Sequence, residues 1–169
     1  MVAVDTTIRA ASAGDTEDLA QLYLEAWHGA YRGIIAPLAL ERMMARRGNA
    51  WWRRAITARS ENLLVISFDG VLVGYASLGP ARRPIGGLRG EIYELYLRPV
   101  YQGIGFGTRL FEAARRRLDA AGLGGHLVWA LRENEQACAF YLAKGGTVAT
   151  SVNERLGGQT LRKIAFTWR

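Results

Sequence analysis

One passage constrains this chain more than any other, the run from Leu95 to Leu110. A β-rich segment meets Pro99, three glycines alternate at Gly103, Gly105 and Gly107, and an apolar-periodic helix begins. Small residues between strand and helix let successive backbone N–H groups turn inward, and the helix start adds the positive end of its dipole. Together they form a cradle for a pyrophosphate; tight strand-to-helix packing is the other use such glycines serve. Two familiar phosphate loops do not fit. Thr108 follows Gly107 without the lysine of a P-loop. The glycine spacing also departs from G-x-G-x-x-G, and the segment does not open the fold.

Around this turn the pattern alternates between sheet and helix. Thr7 to Ala10 reads as a short strand, and Asp15 precedes a helix with Leu19, Leu22, Tyr23 and Ala26 at helical spacing. Pro37 starts a second helix, and Trp51, Trp52 and Ile56 mark a third. Asn62–Phe68 and Val71–Leu78 flank Asp69-Gly70, a hairpin turn. Pro80 to Gly90 reads as a flexible basic loop carrying Arg82, Arg83 and Arg89, followed by a strand over Glu91–Leu97. A helix over about Gly107–Ala121, a strand over His126–Leu131 and a helix from Asn134 to Lys144 come next. Thr147–Val152 and Leu161–Trp168 finish the chain as strands. The order predicts one α+β, or mixed α/β, domain over residues 1–169, with a single sheet of six or seven strands.

Charge and cysteine content narrow the partners. The 22 Lys+Arg against 15 Asp+Glu give a formal charge of +7, which suits an anionic partner such as a polyphosphate. The basic residues are dispersed, with no run longer than Arg115-Arg116-Arg117 and no reader motif, so nucleic acid is not the expected partner. The longest apolar run, Asn62–Phe68, falls far short of the roughly 20 residues a membrane span needs. Met1 to Thr7 lacks the apolar block of a secretory signal, and the lone Cys138 makes no intrachain disulfide. A cytoplasmic protein without a structural metal is the expectation.

The spacing Gln102-x-x-Gly105-x-Gly107 resembles the acetyl-CoA signature of the GNAT superfamily of N-acetyltransferases. A second match follows at Asn134-Glu135-Gln136-Ala137-Cys138-Ala139-Phe140-Tyr141, with Lys144-Gly145 ending the helix, similar to that family's second cofactor motif. The resemblance covers about Ile8 to Trp168 and implies a mostly antiparallel sheet and acetyl transfer from acetyl-CoA to a primary amine within a ternary complex. It departs at Gly146, where the family often has an aromatic. By resemblance, Leu95 and Leu97 supply backbone groups to the pantetheine arm, beside Tyr96. The N–H groups of Gln102, Gly103, Ile104, Gly105, Phe106, Gly107 and Thr108 receive the pyrophosphate. Asn134 bonds the pantetheine arm or caps its own helix, and Arg109 meets a phosphate or solvent.

Acetyl transfer to an amine needs a base for the ammonium proton, a donor for the carbonyl oxygen and an acid for the leaving thiolate. The resemblance implies Glu91 as the base, acting through water, Tyr141 as the acid, and the Leu97 N–H as the oxyanion donor. Strand alternation puts Glu91, Tyr93, Leu95 and Leu97 on one face and Ile92, Glu94 and Tyr96 on the other. Glu94 is thereby the rival base, reaching the acceptor from the opposite face; a salt bridge to an arginine is the alternative use of either glutamate. Trp27, Tyr31 and Arg32 resemble an acceptor wall: the aromatics favour an apolar or cationic amine, and Arg32 a carboxylate. A homodimer, paired through a sheet edge or the last strands, and a module that binds acetyl-CoA without turnover are further expectations.

Overall fold

The computed structural model describes residues 5–59 and 62–169. Met1–Val4, part of the segment weighed above as a leader, lie outside them. One seven-stranded sheet runs β1 (Thr6–Ala10), β2 (Leu63–Phe68), β3 (Val71–Ile85), β4 (Leu88–Leu97), β5 (His126–Leu131), β7 (Gln159–Trp168) and β6 (Thr147–Leu156) in spatial order. Every neighbouring pair is antiparallel except β4 and β5. Helices α1 (Thr16–Tyr31), α2 (Pro37–Ala45) and α3 (Asn49–Arg59) precede β2. Helix α4 (Phe106–Ala120) joins β4 to β5, and α5 (Glu135–Ala143) joins β5 to β6. The expected mixed, mostly antiparallel architecture is the one observed. Among the described residues no helix is long and apolar enough to cross a membrane.

Two apolar layers clamp the sheet. On one face Leu110, Phe111, Ala114 and Leu118 of α4 pack on Ile66, Val73, Ile92 and Val128. On the other, Leu19, Leu22 and Tyr23 of α1 and Trp52 of α3 cover Val65 and Tyr75. Each fully buried Leu or Phe contributes about 1.5–3 kcal/mol, so the sheet is held from both sides and its middle can be opened.

The opening lies between β4 and β5. They pair only at Gly90–His126 and Glu91–Leu127 and then diverge, leaving the far end of β4 without a partner on that side. Pro99 and the turn after it carry the chain away from β4 and into α4.

Pro80–Gly90 is not a loop. Strands β3 and β4 run through it, with their pairing interrupted between Pro80 and Ile85, as a hairpin closed at Gly86-Gly87, both with positive φ, the conformation that tight hairpin turns demand. Its proline- and arginine-rich composition hides the strand, which pairs on one side only and so tolerates residues without a backbone N–H.

Candidate active site

A bulge in β4 sets the geometry of the site. Ser77 pairs with Glu94 and Leu78 with Ile92, so Tyr93 is an extra residue on the β4 side. The inserted residue resets the alternation. Ile92, Leu95 and Leu97 pack toward α4, whereas Tyr96 packs toward α1 and α3 and Glu94 bonds to Tyr75 on that same side. The expected assignment of Glu91 and Glu94 to opposite faces is therefore corrected. Both line one cleft of about 890 Å³, and Glu94 also borders a second of about 400 Å³. The clefts share Tyr31, Tyr93, Glu94, Tyr96, Trp129 and Ala130, so they meet where β4 and β5 part.

The smaller cleft holds most residues of the two glycine-bearing motifs. Leu95, Tyr96, Leu97, Gln102, Gly103, Gly105, Gly107, Thr108, Asn134 and Tyr141 all border it. The Arg98 N–H donates to Val73 O at 2.8 Å, so alternation along the strand turns the N–H and C=O groups of Leu95 and Leu97 into the fork. Gln102 Nε2 donates to the carbonyl of Leu97 at 3.4 Å, on that same side. Gly103 and Gly105 have φ of 77° and 99°, a region that disfavours other residues, and Gly105 caps α4. The earliest bond in α4 is Arg109 N–H to Gly105 O at 3.2 Å, so the amides of Phe106, Gly107 and Thr108 have no acceptor in their own helix. These unpaired amides, open space at Gly103 and Gly105, and a strand edge without a partner fit a pyrophosphate joined to an extended arm.

Some expected contributors stand elsewhere. Phe106 is buried with its ring against Phe68 and Tyr101, Ile104 is exposed, and neither residue borders the cleft. Asn134 Oδ1 accepts from Ala137 N at 3.2 Å, so it caps α5 while bordering the cleft. Trp27 and Tyr31 line the larger cleft, but Arg32 borders neither. At Gly146 the space for a side chain is filled by the Trp168 ring, 2.7 Å from where a Cβ would stand, and Trp168 Nε1 donates to Lys144 O at 3.0 Å. The aromatic missing after Gly145 is thus supplied from β7.

Each glutamate is held by an arginine. Glu91 is almost fully buried and receives the Arg82 guanidinium at 2.6 Å and the Arg82 backbone N–H at 2.9 Å. The Arg82 side chain is 64% exposed. Glu94 receives Arg47 at 2.7 Å and the Tyr75 hydroxyl at 3.0 Å. Arg47 in turn lies over the rings of Trp51, Tyr23 and Trp27, 4.4 to 5.7 Å from their centroids. Sequence reasoning missed Arg47, Arg82, Tyr75 and Trp129. No local signal marks them, because the hairpin, the bulge and the helix packing bring them in.

The phenols in and around the two clefts are kept protonated. Burial raises Tyr141, Tyr96 and Tyr75 above the usual range and pushes Tyr31 up to about 12, where its hydrogen bond to Tyr96 partly offsets the rise. Tyr141 is buried among Phe111, Phe166 and Trp168 while bordering the smaller cleft. The Cys138 thiol is also raised by burial, and its sulfur lies 3.5 Å from Leu131 O, which makes it a poor nucleophile.

A forked sheet, a strand edge facing the fork and a glycine cradle at a helix start define an acyl-CoA-dependent transferase. Residues 17–145 match the model of the acetyltransferase (GNAT) family, and the chain belongs to that family of acyltransferases. It is 27% identical over 164 residues to the uncharacterized N-acetyltransferase YuaI of Bacillus subtilis, covering 96% of this chain and 92% of that one. It is 25% identical over 138 residues to a spermidine N(1)-acetyltransferase of Thermoplasma acidophilum, covering 82% and 86%. The fold superposes on the PaiA N-acetyltransferase of Thermoplasma acidophilum in complex with coenzyme A, with a TM-score of 0.75, 22% identity and coverage of 94% and 98%. It also superposes on YncA of Salmonella typhimurium with acetyl-CoA, with a TM-score of 0.68, 21% identity and coverage of 97% and 93%.

Proposed function

We propose that this protein transfers the acetyl group of acetyl-CoA directly to a primary amine of a small molecule or peptide. The observation that carries the reading is the meeting of two clefts at the β4–β5 fork, one lined by unpaired amides and the other by carboxylates and aromatics. Acetyl-CoA enters as co-substrate, with its pyrophosphate on the amides from Gly103 to Thr108 and its pantetheine arm along Leu95 and Leu97; the Gln102 N–H, expected to join them, already donates to Pro99 O at 3.2 Å.

The acceptor amine must arrive neutral. Of the two carboxylates, Glu91 is held by a largely exposed arginine that can swing into solvent and admit water, whereas Glu94 is locked by half-buried Arg47 and by Tyr75. Glu91 is therefore the base, taking the ammonium proton through water, and Glu94 positions Arg47 and the aromatic wall. The amine nitrogen then bonds to the thioester carbon. The carbonyl oxygen draws a hydrogen bond from the Leu97 N–H, the carbon–sulfur bond breaks as the nitrogen gives up its second proton to water, and Tyr141 protonates the thiolate and recovers its own proton from water. A phenol raised by burial is still protonated at neutral pH, as an acid must be.

Calorimetry with acetyl-CoA and thiol release with a panel of amines test this reading. Binding plus an acetylated amine supports it. Binding with no acetylated product across the panel supports a cofactor-binding module, and failure to bind acetyl-CoA overturns both. Pairing of two copies along the exposed edge strand β6 is a separate proposal, and sedimentation showing only an 18.6 kDa species would count against it.

A further inference from the structure

Among the described residues, the larger cleft is lined by six basic side chains and only three carboxylates. All three carboxylates are already paired: Glu91 with Arg82 at 2.6 Å, Glu94 with Arg47 at 2.7 Å and Glu154 with Lys163 at 3.2 Å. Arg54, Arg59 and Arg83 remain, with no carboxylate partner among the described residues. Two come from α3, where Trp51, Arg54, Ala55, Ala58 and Arg59 recur at three- and four-residue spacing along one face. The two alanines leave room in front of that face. Arg83 comes from the β3–β4 hairpin on the other strand of chain bordering the cleft. All three arginines are exposed, while Tyr31 and Tyr96 at the junction of the two clefts are half-buried.

Among the described residues such a cleft has no unpaired carboxylate to receive a second cationic group, and their excess positive charge repels a polyamine. The same charge attracts an anion and disfavours the ammonium form of a nearby amine, which helps the acceptor reach its neutral, nucleophilic state. Resting on the acetyltransfer reading above, we propose that the acceptor is an amine that carries its own anionic group, with the amine toward Glu91 and the anion on Arg54, Arg59 and Arg83. Trp51, Tyr93 and Trp129 make the wall between them suited to an aromatic or aliphatic side chain. The inference separates this chain's acceptor from the substrate named for its spermidine-acetylating relative.

The test compares phenylalanine, phenylalaninamide, phenethylamine and spermidine as ligands of the enzyme–coenzyme A complex by calorimetry, alongside thiol release with acetyl-CoA. Ethanolamine against phosphoethanolamine, measured the same way, tells phosphate from carboxylate. Charge-assisted hydrogen bonds predict that one anionic ligand binds about tenfold or more tightly than its uncharged-tail partner. The preference should shrink with added salt and fall severalfold in R54A/R59A and in R83A. Phenethylamine, ethanolamine or spermidine binding as tightly as the anionic amines, or no binding of any anionic amine, overturns the inference. Preferential binding of an anionic amine with no acetylated product upholds the anion site on Arg54, Arg59 and Arg83 and overturns the acetyltransfer reading instead.

Discussion

The two sides of the β4–β5 fork are built from different materials. The side proposed for the cofactor is made of backbone: unpaired strand amides at Leu95 and Leu97, left-handed glycines and the first turn of α4. The side proposed for the acceptor is made of side chains drawn from α1, α3, the β3–β4 hairpin, β4 and β7, joined by ion pairs and stacked rings. Backbone sites depend on conformation and tolerate most changes of side chain. Side-chain sites depend on identity, so a single substitution can abolish their chemistry and leave the fold intact.

The largest effect is expected on the acceptor side. In E91Q the amide oxygen keeps either the Arg82 guanidinium or the Arg82 backbone N–H, not both, so stability should fall somewhat while acetyl-CoA binding persists. Turnover should fall by ~10²–10⁴, the usual worth of a positioned acid or base. Equal turnover in a thiol-release assay would move the base to Glu94 or to bulk water.

Tyr141→Phe crosses the boundary between the two sides, because Tyr141 packs in the core and borders the cofactor cleft. The ring stays and the hydroxyl goes, so turnover should drop by an amount within or below that same range. Acetyl-CoA affinity should hardly change. Because burial raises this phenol, turnover in the wild type should show no alkaline loss from it at pH 9 or below. A loss of acetyl-CoA binding with turnover per bound enzyme intact would make Tyr141 structural.

On the backbone side, Gly105→Ala forces a Cβ into a left-handed position at a cost of about 1–2 kcal/mol. Acetyl-CoA affinity in calorimetry should weaken by roughly tenfold, with acceptor preference unchanged. Gly146→Ala has a different cause. Its Cβ would stand 2.7 Å from the Trp168 ring and 2.8 Å from Tyr141 O, so overpacking should cost about 1–3 kcal/mol and lower the melting temperature. Its acetyl-CoA affinity should stay within twofold of wild type. A larger loss there would mean that Trp168 helps shape the cofactor cleft.

The same contrast explains what could be read in the sequence. The lining of the smaller cleft was legible because its determinants are local: Gln102 to Thr108 follow one strand end, and Asn134 to Tyr141 make one capped helix. The element order and a sheet of six or seven strands followed from periodicity and turn residues. The acceptor side was not legible. An extra residue at Tyr93 moves Glu91 and Glu94 onto one face, and no composition signal marks a bulge. Arg82 and Arg83 sit in a stretch that reads as loop but forms a hairpin reaching the cleft. Arg47 meets Glu94 only because α1, α2 and α3 pack on the sheet.

Direct transfer across the junction is the central claim, and the protein incubated with acetyl-CoA alone tests it most plainly. Intact-mass spectrometry should show no acetyl group on the chain, Cys138 included. Initial rates with both substrates varied should give intersecting lines, because both must be bound before the carbon–sulfur bond breaks. An enzyme carrying one acetyl group that disappears when amine is added, with parallel rate lines, would contradict the account and require a covalent intermediate.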